Sequence, residues 1–180
     1  LAQDAAGGAF SLDLVSIALL LIISGLTAAL LFYVGRNSFR LERRHVLLLA
    51  LGALFLRLLI AVLSPGYSSD MGCFSSWSSA LAENGPGSFY TSGMFADYPP
   101  GYLYVLWFLG GVMRLFGIAA SSALGSILLR LPAMLCDIGV GLLLYRVIAK
   151  HASPTRASAV FLLCALNPLA ILVSPAWGQV

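Results

Sequence analysis

Long apolar runs recur along this chain, and they constrain its fold more than any other feature. The first covers residues 14–34, and similar runs lie at 46–63, 126–148 and 158–174. Each is near the roughly 20 residues that an α-helix needs to cross about 30 Å of hydrocarbon. Charged residues make up only 9% of the chain, too few to give each element of a water-soluble domain a polar face. Because a backbone within lipid must satisfy its own hydrogen bonds, we predict an all-α membrane protein, a multi-span transmembrane helix bundle.

Basic residues are concentrated in two short connections between these runs, at 36–45 and 146–156. The positive-inside rule places both connections in the cytoplasm, so the segment 65–98 becomes an extracytoplasmic loop. This loop has three acidic residues and no Lys or Arg. Apolar residues at three- and four-residue steps predict a short amphipathic helix from Asp70 to Asn84, lying along the membrane surface. The net charge of +3 therefore reflects membrane topology and does not indicate a nucleic-acid partner.

The stretch 99–118 can be placed in two ways. Its length and apolarity permit a crossing, but a crossing would carry the second basic connection to the outside. We therefore favour an interfacial or re-entrant helix, followed by an inward span at 126–148 and an outward span at 158–174. We interpret 1–180 as a single transmembrane domain, with 14–34 as an additional span. The chain begins without Met and stops without a polar tail, so we expect a fragment of a larger protein that is inactive alone.

Two carboxylates of the acidic loop are candidates for chemistry. Asp70 follows the second span closely and is the N-cap of the amphipathic helix, a general base that takes a proton from an acceptor hydroxyl, or both. Asp97 precedes Tyr98-Pro99-Pro100, where two prolines stiffen the backbone, and it is either a helix-start signal or a positioned acidic residue. Trp177 and Gln179 end the last span on the same side, where the indole can anchor the interface or the pair can orient a sugar.

Three charged residues lie well inside the predicted spans, away from the basic connections, where a charge is costly and usually paired or functional. Arg57 or Arg130 can pair with Asp137 and fix helix register, and we interpret Asp137 as structural. Either arginine can instead bind a lipid phosphate, because a guanidinium fork matches phosphate oxygens. The chain has three cysteines and no His/Cys cluster typical of zinc, so we assign no metal residue. A divalent cation is possible, but two scattered carboxylates do not define its site.

Several segments together resemble the GT-C superfamily of integral-membrane glycosyltransferases. They are SSDM around Asp70, ADYPPGYLYVL around Asp97, LRLPAMLCD at 129–137 and NPLAILVSPAWGQ at 167–179. The similarity is to bacterial and mannosyltransferase-like members that use polyprenyl-phosphate sugars, and it spans residues 46 to 179. Members of this family usually continue beyond WGQ into another acidic residue and further spans.

The resemblance implies a catalytic aspartate at Asp70, a second acidic site residue at Asp97 and a family arginine at Arg130. Tyr98, Trp177 and Gln179 are then candidates to bind the sugar or the acceptor. The implied partners are a polyprenyl-phosphate-linked sugar donor, the lipid bilayer, and a glycan, lipid or protein acceptor. The implied reaction is transfer to an acceptor hydroxyl with inversion, on the extracytoplasmic face of a bacterial plasma membrane. A transporter or channel subunit and a non-catalytic scaffold subunit are the alternatives.

Overall fold

The structure is a computed structural model that describes residues 14–37, 40–87, 89–91 and 93–179. Residues 1–13 and 180, at the ends of the predicted single domain, lie outside the described residues. The described part contains helices and no strand, as the all-α prediction requires. The helices are α1 (Leu14–Arg36), α2 (Arg43–Leu63), α3 (Ser68–Asn84), a 3₁₀ turn (Phe89–Thr91), α4 (Pro100–Leu115), α5 (Ala123–His151), α6 (Pro154–Ala165) and α7 (Pro168–Ile171), which continues as a π-helical segment (Leu172–Trp177).

Three helical segments of the described chain are long and apolar enough to cross a membrane. They are α2, α5 and the stretch Pro154–Trp177, which corresponds to the last predicted span, while Leu21–Arg36 within α1 is a shorter apolar helix. Many large apolar side chains on these helices face outward, among them Leu51, Phe55 and Leu143. This pattern is compatible with an integral membrane protein, because lipid tails can cover such a surface.

Helices α2 and α5 run in opposite directions and give the bundle two distinct ends. At the basic end, Leu41 precedes α2; its carbonyl accepts from the Tyr145 hydroxyl at 2.8 Å, and its N–H donates to Ser158 Oγ at 2.8 Å. At the acidic end, where α2 finishes, Arg130 near the start of α5 donates to the Ala61 carbonyl at 2.9 Å. The last span runs from the basic end to the acidic end.

Helix α3 forms as the sequence predicted, with Met71, Phe74, Trp77 and Leu81 buried on one face and Gly85 in a positive-φ conformation at its end. Its buried face packs against α4, and the approach is closest at Gly110. A Cβ atom built there would lie 2.1 Å from the Ser78 carbonyl oxygen, so only glycine fits this contact.

Both ends of α4 lie at the acidic end of the bundle. Near its start, the Tyr102 hydroxyl donates to the Leu129 carbonyl of α5 at 3.4 Å. At its other end, Arg114 donates to the Ala82 carbonyl of α3 at 3.1 Å, and the chain turns directly into α5. With 16 residues α4 is about 24 Å long, shorter than the hydrocarbon core. The interfacial or re-entrant placement of this helix stays a prediction.

The last span is broken at Asn167–Pro168. Proline has no N–H, and the Asn167 side-chain oxygen accepts from the N–H groups of Leu169 and Ala170 at 2.9 and 3.4 Å. The carbonyls at the end of α6 therefore need other donors. Arg57 donates to the Ala165 carbonyl at 2.7 Å, and the single hydroxyl proton of Thr27 in α1 is shared between the Leu166 carbonyl at 3.1 Å and the Ile23 carbonyl of its own helix at 2.8 Å. Polar side chains of two other helices thus stabilise the break.

Candidate functional site

Asp70 lies in the first turn of α3, at the acidic end of the bundle. Helix α3 begins at Ser68 and its N-cap position is Tyr67, whose side chain makes no capping hydrogen bond. The interpretation of Asp70 as the N-cap is therefore wrong, because the helix starts two residues before it. Its carboxylate is held by other groups.

The last residues of the described chain supply those groups. Trp177 Nε1 donates to Asp70 Oδ2 at 3.1 Å, and Gln179 Nε2 donates to the same oxygen. The amide oxygen of Gln179 accepts from the Tyr98 hydroxyl at 3.2 Å. No other described residue donates to Asp70, so Oδ1 keeps its capacity to accept a proton. The structure thus brings together four of the residues that the sequence singled out.

Backbone contacts place Trp177 and Gln179 over Asp70. The carbonyls at the end of the last span have no helical partner, and the connection between α2 and α3 satisfies two of them. Ser64 Oγ donates to the Ala176 carbonyl at 2.7 Å, and the Tyr67 N–H donates to the Trp177 carbonyl at 2.6 Å. The Tyr67 and Trp177 rings also lie in contact, with centroids 5.2 Å apart. The two chain segments are therefore joined immediately beside the carboxylate.

Two glycines permit this close approach. Gly66 and Gly178 have φ values of +79° and +92°, which residues other than glycine rarely adopt. A Cβ atom at Gly66 would lie 2.8 Å from Met71 Cγ, and one at Gly178 would lie 2.6 Å from Met71 Sδ. The Met71 side chain therefore fills the space between the two turns.

Arg130 lies directly below this junction and is only 1% exposed. Its guanidinium donates five hydrogen bonds, to the carbonyls of Ala61, Ser64 and Pro175 and to the carbonyl and hydroxyl of Ser126, at 2.6 to 3.1 Å. Arginine has five N–H donors, so each is accounted for. In this arrangement no N–H of Arg130 is left to form the fork with a lipid phosphate that the sequence suggested.

Arg57 and Asp137 lie deeper in the bundle, away from Asp70. Arg57 Nε is 3.6 Å from Asp137 Oδ2, and that oxygen accepts from the Ser174 hydroxyl at 2.8 Å. Arg57 has no exposed surface, and its Nε and Nη2 atoms have no hydrogen-bond partner. The arginine that pairs with Asp137 is thus Arg57 and not Arg130. The donor-phosphate role of Arg57 stays a prediction, and its enclosure argues against it.

Asp97 is exposed, and within the described residues it makes no hydrogen bond or ion pair. It lies close enough to Cys73 to affect its titration. Burial raises the pKa of the Cys73 thiol, and the negative charges of Asp97 and Asp70 raise that pKa further. The described chain contains no group of three or more His, Cys, Asp or Glu residues that could hold a metal ion. Asp97 is therefore near the Asp70 site without being joined to it.

A cavity of about 660 Å³ opens on the other side of Met71. Serine hydroxyls dominate its polar lining, and Arg130 forms part of its wall; the serines are Ser64, Ser75, Ser76, Ser121, Ser122 and Ser126. The sequence analysis missed this cavity, although paired serines in the loop and before α5 were the available signal. The cavity can take a polar group that reaches the membrane surface.

Comparisons of the chain with protein-family models, with curated proteins and with solved structures give no match. The resemblance to GT-C glycosyltransferases therefore stays a prediction based on the quoted residues.

Proposed function

We propose that this protein is a GT-C-type membrane glycosyltransferase that transfers a sugar from a polyprenyl-phosphate donor to an acceptor hydroxyl on the extracytoplasmic face. The observation that carries the proposal is the junction of Asp70, Trp177, Gln179 and Tyr98 at one end of an apolar helix bundle. A base at this position meets both a lipid-anchored donor and an acceptor from the aqueous side.

In this mechanism Asp70 takes the proton of the acceptor hydroxyl through its free Oδ1 while Oδ2 remains held by Trp177 and Gln179. The acceptor oxygen attacks the anomeric carbon of the donor sugar, and the bond from that carbon to the lipid-phosphate oxygen breaks. The electron pair leaves with the polyprenyl phosphate. One displacement of this kind inverts the anomeric configuration.

The serine-lined cavity beside the junction is the space that we assign to the donor's phosphosugar. Its hydroxyls can donate to phosphate or sugar oxygens, and the nearby charge of Arg130 favours an anionic occupant. The donor's lipid tail would remain in the bilayer around the outward-facing apolar side chains. The role of Asp97 as a second acidic residue belongs to the same proposal and rests on the resemblance.

Supplying radiolabelled donors to the intact protein in nanodiscs tests the proposal. Polyprenyl-phosphate mannose, glucose and arabinose are given in turn, with an acceptor extract, and both transferred label and released lipid phosphate are measured. Transfer with matching release of lipid phosphate from one donor is the expected result. No product above empty nanodiscs with any of the three donors would contradict the proposal.

The transporter alternative predicts a different arrangement of the buried charges. A transport pathway that uses Arg57 would expose this residue to a continuous polar space. Arg57 is instead fully enclosed and donates to the carbonyls of Ala53 and Ala165. Attaching a membrane-impermeant label to Cys73 and to an engineered Ser122→Cys from each side separates the two topologies. Labelling of both from the outside supports the transferase arrangement.

A further inference from the structure

We propose that Arg130 is a positioning residue that sets Trp177 and Gln179 over Asp70, and that its hydrogen bonds are committed to this task. The inference rests on the proposed function only in taking the Asp70 junction as the active site. It departs from the sequence-based expectation that Arg130 binds the donor phosphate directly.

The first argument is the identity of the acceptors. Arg130 joins three chain segments at the acidic end: the end of α2 through Ala61 and Ser64, its own helix through Ser126, and the last span through Pro175. The shortest bond, 2.6 Å, reaches the Pro175 carbonyl two residues before Trp177. Because this carbonyl lies in the same helical turn as Trp177, we expect its movement to displace the indole.

The second argument is the packing of the Arg130 stem. A Cβ atom at Gly178 would lie 3.2 Å from Arg130 Cδ, so the arginine stem lies against the turn between Trp177 and Gln179. The guanidinium and the stem therefore contact the last span on both sides of Trp177. Since the N–H of Gly178 also bonds to the Val173 carbonyl at 3.1 Å, this turn has little freedom once Arg130 is in place.

The third argument is that a substitution can distinguish the hydrogen bonds of Arg130 from its positive charge. Lysine keeps the positive charge of Arg130 but has three donors on a flexible stem in place of a planar fork with five. A residue that acts only by attracting an anion would largely survive Arg130→Lys. A residue that joins three segments would not, because at least two of its five acceptors would lose their donor.

Fluorine NMR on the intact protein in nanodiscs, labelled with 5-fluorotryptophan, tests the inference. The chain has three tryptophans, at 77, 107 and 177, and replacing each by Phe assigns its resonance. The Asp70→Ala variant gives the chemical shift of the Trp177 resonance when the indole N–H has lost its carboxylate acceptor. Arg130→Lys is compared with Arg114→Lys, a matched change of an exposed arginine that donates to the Ala82 carbonyl and to no other residue of the described part.

We expect Arg130→Lys to move the Trp177 resonance towards its position in Asp70→Ala while the Trp107 resonance stays in place. Transfer should fall by about 10²-fold, the effect typical of a reacting group displaced by about 1 Å. Arg114→Lys should change neither. An unmoved Trp177 resonance in Arg130→Lys would overturn the inference, whatever the activity.

If Arg130→Lys fails to fold, a second variant tests the junction that Arg130 is proposed to hold. Ser64→Ala removes the donor to the Ala176 carbonyl without changing charge, and Ser79→Ala is its control on the exposed face of α3. Movement of the Trp177 resonance in Ser64→Ala alone supports a junction that fixes the indole, and no movement contradicts it. The spectra are informative even if the wild type transfers no sugar, so failure of the proposed function and failure of this inference are distinguishable.

Discussion

Gly110 and Gly111 are neighbouring glycines of α4 that should respond in opposite ways to the same substitution. A Cβ atom at Gly110 would lie 2.1 Å from the Ser78 carbonyl oxygen and 2.9 Å from its carbon, whereas one at Gly111 would meet nothing within 4 Å. Ordinary contacts of Cβ atoms begin near 3.4 Å. Gly110→Ala must therefore separate α3 from α4 by more than about 1 Å, because backbone cannot rotate away as a side chain can.

The magnitude follows from comparing the two variants. Both gain the helix propensity of alanine, about 1 kcal/mol, so this contribution cancels in the difference between them. What remains is the overpacking cost at Gly110, about 1–3 kcal/mol, with the backbone contact favouring the upper part of that range. The free energy of unfolding of Gly110→Ala should therefore be lower than that of Gly111→Ala by this amount.

Thermal or denaturant unfolding in detergent micelles, followed by circular dichroism, measures this difference. Wild type should fall between the two variants, with Gly111→Ala the most stable. The α3–α4 contact also holds Tyr98 near Phe74, with ring centroids 5.3 Å apart, so Gly110→Ala should weaken the hydrogen bond from Tyr98 to Gln179. Equal stability of the two variants would refute the packing of α4 on α3.

Three further perturbations test other parts of the fold. Arg57→Ala should lower the free energy of unfolding by about 3–5 kcal/mol in the same assay, because it leaves Asp137 without its cation; a loss below 1 kcal/mol would contradict the pair. Asn167→Ala should cost about 1 kcal/mol by removing the cap of α7, and an unchanged midpoint would contradict that cap. In a background with Cys136 and Cys164 replaced by Ser, alkylation of Cys73 should be slow near neutral pH and accelerate as pH rises, because burial and the two carboxylates raise its pKa. Asp97→Asn should lower that pKa and speed labelling near neutral pH, and an unchanged rate would contradict their proximity.

Local patterns in the sequence were sufficient to predict the main helices and to predict that Asp70 and Gln179 lie at the same end of the protein. The apolar runs predicted α2 and α5 because their length and composition depend on neighbouring residues alone. The three- and four-residue spacing of Met71, Phe74, Trp77 and Leu81 predicted the buried face of α3 for the same reason. The two basic connections predicted that Asp70 and Gln179 lie on the same side of the membrane. In the structure the two side chains are in direct contact.

The details that depend on tertiary contact could not be predicted. Asp70 was assigned as a possible cap because SSD fits a helix start, but the helix begins at Ser68 when Tyr67 is tied to the Trp177 carbonyl. The five acceptors of Arg130 come from three segments and lie up to 69 residues from Arg130 in the sequence, which no local pattern encodes. The serine-lined cavity likewise requires α3 and the turn before α5 to face each other.

The most direct test of the central claim compares transfer by Asp70→Asn with transfer by Glu83→Gln in the intact protein in nanodiscs. Asparagine can still accept the bonds from Trp177 and Gln179 but cannot take a proton, whereas Glu83 is an exposed acid on the same helix. The account predicts a fall of about 10²–10⁴-fold in the transfer rate for Asp70→Asn and none for Glu83→Gln. Transfer by Asp70→Asn at the wild-type rate would contradict the account.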